Sequence, residues 1–225
     1  APSELKDDFT KQLAKVAADN GTQILSVHPF TSGLEPLLFF TEYRRRTLDG
    51  LELYKHYFHA ANMLGAKILV LHGDRKEAIK PYSRYFDMFG ELAQTGRSMG
   101  ITVAQENVPR CISHCPEFVK AMAAYLPDAR FILDTKQCIR AGYSIEQMIK
   151  AMGNRLIHVH VSDHDAKNDC LPVGRGIMDL KALVARLKGS GFDGGVILEV
   201  YRDNYGDYKE LEESYRLILK AVHGE

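Results

Sequence analysis

Six short apolar runs recur along the chain, each followed by a polar loop and a stretch with helical periodicity. The runs lie at residues 23–28 (QILSVH), 67–72 (KILVLH), 101–106 (ITVAQE), 130–134 (RFILD), 156–161 (LIHVHV) and 195–200 (GVILEV). They are largely apolar and rich in Ile and Val, as strands buried on both faces should be. Between them the spacing predicts helices over 3–18, with Ser3 as N-cap, and over 51–64, 82–99, 116–125, 144–152, 180–188 and 208–222. Gly65, Gly100 and Gly189 stand just past three of these, where a left-handed residue ends a helix.

Strands alternating with helices argue for a parallel sheet, either open and doubly wound or closed into a barrel. The regularity of the repeat favours the barrel. No linker or low-complexity stretch divides the chain, so residues 1–225 read as one domain. A (β/α)8 barrel uses eight strands and about 250 residues. Six βα units are visible and the chain opens on a helix, so the expectation is a TIM barrel whose first two strands and first helix lie ahead of Ala1. Such a piece would lack one wall of its pocket and expose two sheet edges. A six-stranded open sheet is the alternative.

Composition narrows the class. Hydrophobic residues are 45% and charged residues 26% of 225, ordinary globular values that exclude disorder, collagen and coiled coil. Lys plus Arg (29) balances Asp plus Glu (29), leaving no global field to gather nucleic acid or an anionic membrane. Four cysteines are too few for a disulfide scaffold, and reduced thiols are expected. The longest apolar runs fall well short of the roughly 20 residues of a membrane span. The opening APSELKDD lacks the basic start and apolar stretch of a signal peptide. A cytoplasmic protein without nucleic-acid or membrane partners is expected.

Four of the last five runs end in, or carry near their ends, a residue that is costly to bury: Glu106, Asp134, His160 and Glu199. In parallel barrels the carboxyl ends of the strands face the active site. Three carboxylates and an imidazole meeting there would repel one another unless a cation sat among them, and a divalent metal meets that need. The plainer account, a nearby Arg or Lys for each carboxylate, explains one such residue more readily than four in series.

The phrases Ala104-Gln105-Glu106-Asn107, Leu133-Asp134-Thr135-Lys136-Gln137, His158-Val159-His160-Val161-Ser162-Asp163 and Ile197-Leu198-Glu199-Val200-Tyr201, in that order, resemble the xylose isomerase-like TIM barrel superfamily. That superfamily holds sugar-phosphate isomerases and epimerases together with apurinic-site endonucleases. The stretch from Pro172 to Asp179, with Gly174-Arg175-Gly176, extends the likeness. The resemblance implies that Glu106, Asp134, His160 and Glu199 bind one divalent cation. Three carboxylates and one nitrogen favour manganese, magnesium or cobalt, and zinc also accepts such ligands. It further implies that Glu106 and Glu199 act as acid and base on opposite faces of a carbohydrate. The reaction implied is isomerisation or epimerisation by proton abstraction beside a carbonyl, through an enediolate. Asp134 and His160 are ligands only in this reading.

Departures from the pattern narrow the activity. The endonucleases hold three zinc ions, yet this chain has Gln137 where they place a histidine, and Asn168 and Cys170 where they place an Asp-x-His. Phosphodiester cleavage is thereby disfavoured. His28 and His72 match endonuclease ligand positions; in an epimerase they line the pocket and bond substrate hydroxyls, and a packed histidine is an equal account. Gln137 and Arg175 are further substrate-binding candidates. Lys136, Arg140 and Arg175 stand in or near the loops at the mouth, either as anion binders or as solvated charge. His158, one layer below His160, reads as packed. Asp163-His164-Asp165 reads as a solvated loop before a weak second ion site, and Cys111-x-x-His114-Cys115 as loop thiols before zinc. Relatives often form dimers or tetramers, so a homo-oligomer is implied without an interface being marked. A metal-dependent hydrolase or lyase, or a sugar-binding relative without catalysis, are the competing functions.

Overall fold

The computed structural model describes residues 5–77 and 81–224. Elements follow one another as α1 (Asp7–Asp19), β1 (Ser26–Val27), α2 (Glu35–Leu38), α3 (Arg44–Leu64), β2 (Ile68–Leu71), α4 (Ser83–Ser98), β3 (Thr102–Glu106), α5 (Pro116–Tyr125), β4 (Arg130–Asp134), α6 (Thr135–Ala141), α7 (Ile145–Met152), β5 (Leu156–Val161), α8 (Leu180–Gly189), β6 (Gly195–Leu198) and α9 (Tyr208–His223). They gather into two compact units: Ala1–Glu106 with Ala124–Arg130, and Asn107–Ala123 with Phe131–Glu225.

In the first unit β1, β2 and β3 are parallel and lie side by side in chain order, Ser26 opposite Ile68 and Ile68 opposite Thr102. In the second unit β4, β5 and β6 repeat the arrangement, with Leu133 opposite Val159 and His160 opposite Ile197. Each new strand is laid beside the one before it, as βα repeats in a barrel require; a doubly wound sheet reverses its order. Helices pack on the strands through aromatic and aliphatic faces. Phe39, Tyr54, Phe58, Leu69 and Phe89 fill the first unit, and Phe118, Phe131, Leu133, Met148 and Val159 the second, all at most 1% exposed. Phe39 meets Tyr54 edge to face at 4.6 Å, a contact worth about 1 kcal/mol beyond burial.

The predicted helices are present, with shifted ends. α5 coincides with its prediction, α7 begins after Ser144, which caps it, and α9 runs one residue further than expected. The proposed cap Ser3 lies outside the described residues. α3 begins at Arg44 rather than 51, because Gly50 is not a stop. A Cβ there would stand 3.1 Å from the Phe39 ring and 3.2 Å from the Leu38 carbonyl, so the glycine serves close packing. β1 is reduced to two residues and β6 is only half-buried along its length, unlike the doubly covered strands expected. Among the described residues each has a ladder partner on one side alone. Two short helices, α2 and α6, escaped the periodicity because neither spans two full turns.

Candidate active site

Strand ends place the polar side chains. Glu106 closes β3, Asp134 closes β4, His160 is the fifth residue of β5, and Glu199 follows β6 directly. The first three are nearly fully buried; the Glu199 side chain is 39% exposed.

In the first unit, His28, His72 and Glu106 converge. His28 Nε2 and His72 Nε2 are 2.9 Å apart, His72 Nε2 lies 2.9 Å from Glu106 Oε2, and the two rings meet edge to face. One donor atom from each of the three lies within 4.8 Å of the others, a spacing that could hold a cation. The Gln105 amide anchors the ends of β2 and β3 by donating to the carbonyls of Leu71 (3.1 Å), His72 (2.9 Å) and Glu106 (2.9 Å). The Tyr85 hydroxyl donates in turn to Gln105. Glu35 lies beneath and was not singled out from the sequence. It is fully buried, and its Oε2 accepts the Gly73 N–H at 2.6 Å.

In the second unit, Asp134, His160 and Glu199 come together, one ligand atom of each within 4.8 Å of the others. Asp134 caps α6: its Oδ1 accepts the Gln137 backbone N–H at 3.0 Å. Its backbone is clamped by Asn107, which donates to the Asp134 carbonyl (3.0 Å) and accepts from the Asp134 N–H (2.8 Å). Thr135 ties the start of α6 to Ser162 through two 3.0 Å bonds. His160 Nδ1 lies 2.8 Å from Glu199 Oε2. Burial would raise the Glu199 pKa, but the His160 hydrogen bond and charge and the Lys136 ammonium prevail and hold it at about 2. Two carboxylates and an imidazole with these spacings are a donor set that fits a hard divalent cation.

Lys136 is not the loop cation that the sequence suggested. Its side chain is 1% exposed, and Nζ donates to Asp134 Oδ2 at 2.7 Å and to Glu199 Oε1 at 2.8 Å. Burial disfavours the ammonium, but the two carboxylates outweigh it and push its pKa above the ordinary value. Gln137 is buried in α6 beside it. Arg140 is bound to Asp169 and to the Tyr201 hydroxyl (2.9 Å), and Arg175 is half-exposed on Glu213 (2.9 Å). His158 is fully buried, its ring 5.1 Å from that of His160, as the one-layer-deeper position predicted.

Asp163 departs from the solvated-loop reading. It is 1% exposed, and its carboxylate accepts backbone N–H bonds from His164 (2.8 Å), Gly174 (3.0 Å), Gly176 (3.1 Å) and Met178 (2.9 Å). A side chain at Gly176 would collide with that carboxylate. The loop after β5 is therefore folded around one acid, and Gly174-x-Gly176 was the signal for it. The four cysteines are buried and form no disulfide among the described residues, where no cation-binding group forms around Cys111, His114 and Cys115 either. No described helix is long and apolar enough to cross a membrane.

The family profile described as "Xylose isomerase-like TIM barrel" matches residues 2–221. An inosose isomerase of Bacillus licheniformis is 27% identical over 184 residues, which are 74% of this chain; the chain spans 65% of that relative's length. Among solved structures, a D-tagatose 3-epimerase-like protein superposes with a TM-score of 0.75 at 20% identity, over 97% of this chain and 84% of its own. An IolI protein with a bound zinc atom gives 0.76 at 20% identity, over 99% and 84%. At such identities these two likenesses establish the fold.

Proposed function

The chain belongs to the xylose isomerase-like TIM barrel family, and from that premise we propose that it is a metal-dependent isomerase or epimerase of a sugar or sugar phosphate. The observation that carries this reading is the convergence of Asp134, His160 and Glu199 at the ends of three successive strands. The similarity to an inosose isomerase and to a D-tagatose 3-epimerase-like protein supports the substrate class, and the zinc in the IolI protein supports an ion.

Glu106, Asp134, His160 and Glu199 are the proposed ligands of one divalent ion. Glu106 precedes Asn107, whose amide exchanges two hydrogen bonds with the Asp134 backbone. A bound ion would supply the positive charge that polarises a carbonyl and offsets the negative charge left by proton removal. The chain's own part is the proton. Glu199, held ionised, is proton-free and faces His160; Glu106 is its counterpart from β3. One carboxylate takes the proton from the carbon beside the carbonyl and keeps it, while the other, entering the step as the carboxylic acid, donates its own proton to the opposite face, which inverts the centre. His28, His72, Gln137 and Arg175 are proposed to hold substrate oxygens.

The test is metal analysis of the purified protein, then incubation with ketoses and aldoses in heavy water. Deuterium entering substrate at C2 or C3 supports enolisation; bond cleavage without exchange would overturn it. A hydrolase or lyase is the second reading, favoured by the His28, His72 and Glu106 grouping, since two imidazoles suit zinc and water activation. Two bound ions per chain together with cleavage would select it.

A further inference from the structure

An ammonium with 1% exposure in the first turn of a helix is an unfavourable choice twice over: burial opposes its charge, and the helix dipole favours anions there. Its surroundings give the reason. Lys136 Nζ bridges Asp134 Oδ2 and Glu199 Oε1, carboxylates brought together from β4 and the end of β6. The remaining oxygens are committed: Asp134 Oδ1 to the Gln137 N–H, and Glu199 Oε2 to His160 Nδ1. An ion bonded to Asp134, Glu199 and His160 needs oxygens at roughly 2.0–2.6 Å, and the free approach to two of them is the space that Nζ fills. The ammonium and the ion are both cations, so they also repel across that distance.

We propose that Lys136 Nζ and a divalent ion are mutually exclusive occupants of the place between Asp134 and Glu199. Lys136 is a built-in counter-ion: it keeps the two carboxylates gathered in the metal-free protein and must withdraw on its flexible stem when the ion enters. Its displacement lowers the apparent metal affinity and sets a threshold concentration for loading. This inference rests on the metal-dependent reading above, and it assigns Lys136 a positioning role that does not require contact with substrate.

The test uses the full chain, stripped with a chelator, and its Lys136→Met variant, titrated with Mn2+ by calorimetry. Tighter Mn2+ binding in the variant, on the order of tenfold or more, together with a lower melting temperature of the metal-free variant that Mn2+ restores, is the expected result. Equal affinity in the two proteins overturns the exclusion while leaving the metal-dependent reading intact. Binding by neither protein, with Zn2+ and Co2+ as with Mn2+, removes both. Should the variant fail to fold, the wild-type chain still decides. Acetylation of Lys136 by acetic anhydride, followed by mass spectrometry, should rise on saturation with Mn2+, and unchanged labelling overturns the proposal.

Discussion

Replacing Glu35 by glutamine tests how the ground beneath the first cluster is held. Glu35 sits in α2 with no exposure; its Oε2 accepts the Gly73 N–H at 2.6 Å and its Oε1 lies 3.1 Å from the Tyr54 hydroxyl. Burial outweighs the hydrogen bonds from Gly73 and Tyr54 and leaves its carboxyl raised from 4.5 to about 8. A folded-state value above the unfolded one means that the native protein holds this proton more tightly. The contribution is therefore fully present below about pH 4.5 and is lost as pH rises through about 8. With those two values, the loss between pH 5 and pH 8 is about 3.5 kcal/mol, with a slope near the ~1.4 kcal/mol per pH unit of one proton. That figure is an upper bound, because local relaxation lets water reach the carboxylate. Glutamine keeps a carbonyl for the Gly73 N–H and places an amide beside Tyr54 without a titrating proton. Urea unfolding of both proteins at intervals across this range, taken as a difference, isolates Glu35 from every other group. Wild type should lose stability relative to Glu35→Gln as pH rises. Parallel curves from pH 5 to pH 8 would refute the reasoning.

Other consequences follow from the same geometry. Glu106→Gln or Glu199→Gln should abolish turnover in the exchange assay while circular dichroism stays unchanged; full activity in either variant removes that residue from the mechanism. Asp163→Ala should cost about 3 kcal/mol or more in urea unfolding, since up to four backbone N–H groups lose a charged acceptor; a change below about 1 kcal/mol would mean that the loop refolds without it. Chelation should lower the melting temperature reversibly, because an ion bound only to the folded state stabilises it by about 2.7 kcal/mol at a free concentration of 100 Kd. An unmoved melting temperature argues against a bound ion.

Much of the architecture was legible because it is local. Alternating apolar runs and helical periods placed all six strands, and of the four polar residues at run ends, Asp134, His160 and Glu199 are the side chains that three strands bring together in the second unit. Glu106, Asp134, His160 and Glu199 stood out because a carboxylate or imidazole is the wrong residue to finish an apolar strand. The partners of these residues were not legible. Lys136 read as a loop cation, either an anion binder or solvated charge, since nothing in its neighbours along the chain shows that α6 starts at once after β4 and turns Nζ toward Glu199, 63 positions away. Asp163 looked exposed because its partners are backbone N–H groups 11 to 15 residues on, which carry no side-chain signature. Glu35 lay in a helix too short to have a period.

Sequence alone determined the succession of elements and which residues are chemically out of place in them, since both depend on neighbours within a turn or a strand. Tertiary structure alone decided how those charges are balanced. Whether a carboxylate is met by an ammonium, an imidazole, a backbone N–H or water depends on groups remote in the chain and on burial, and burial is a property of the folded surface rather than of any residue.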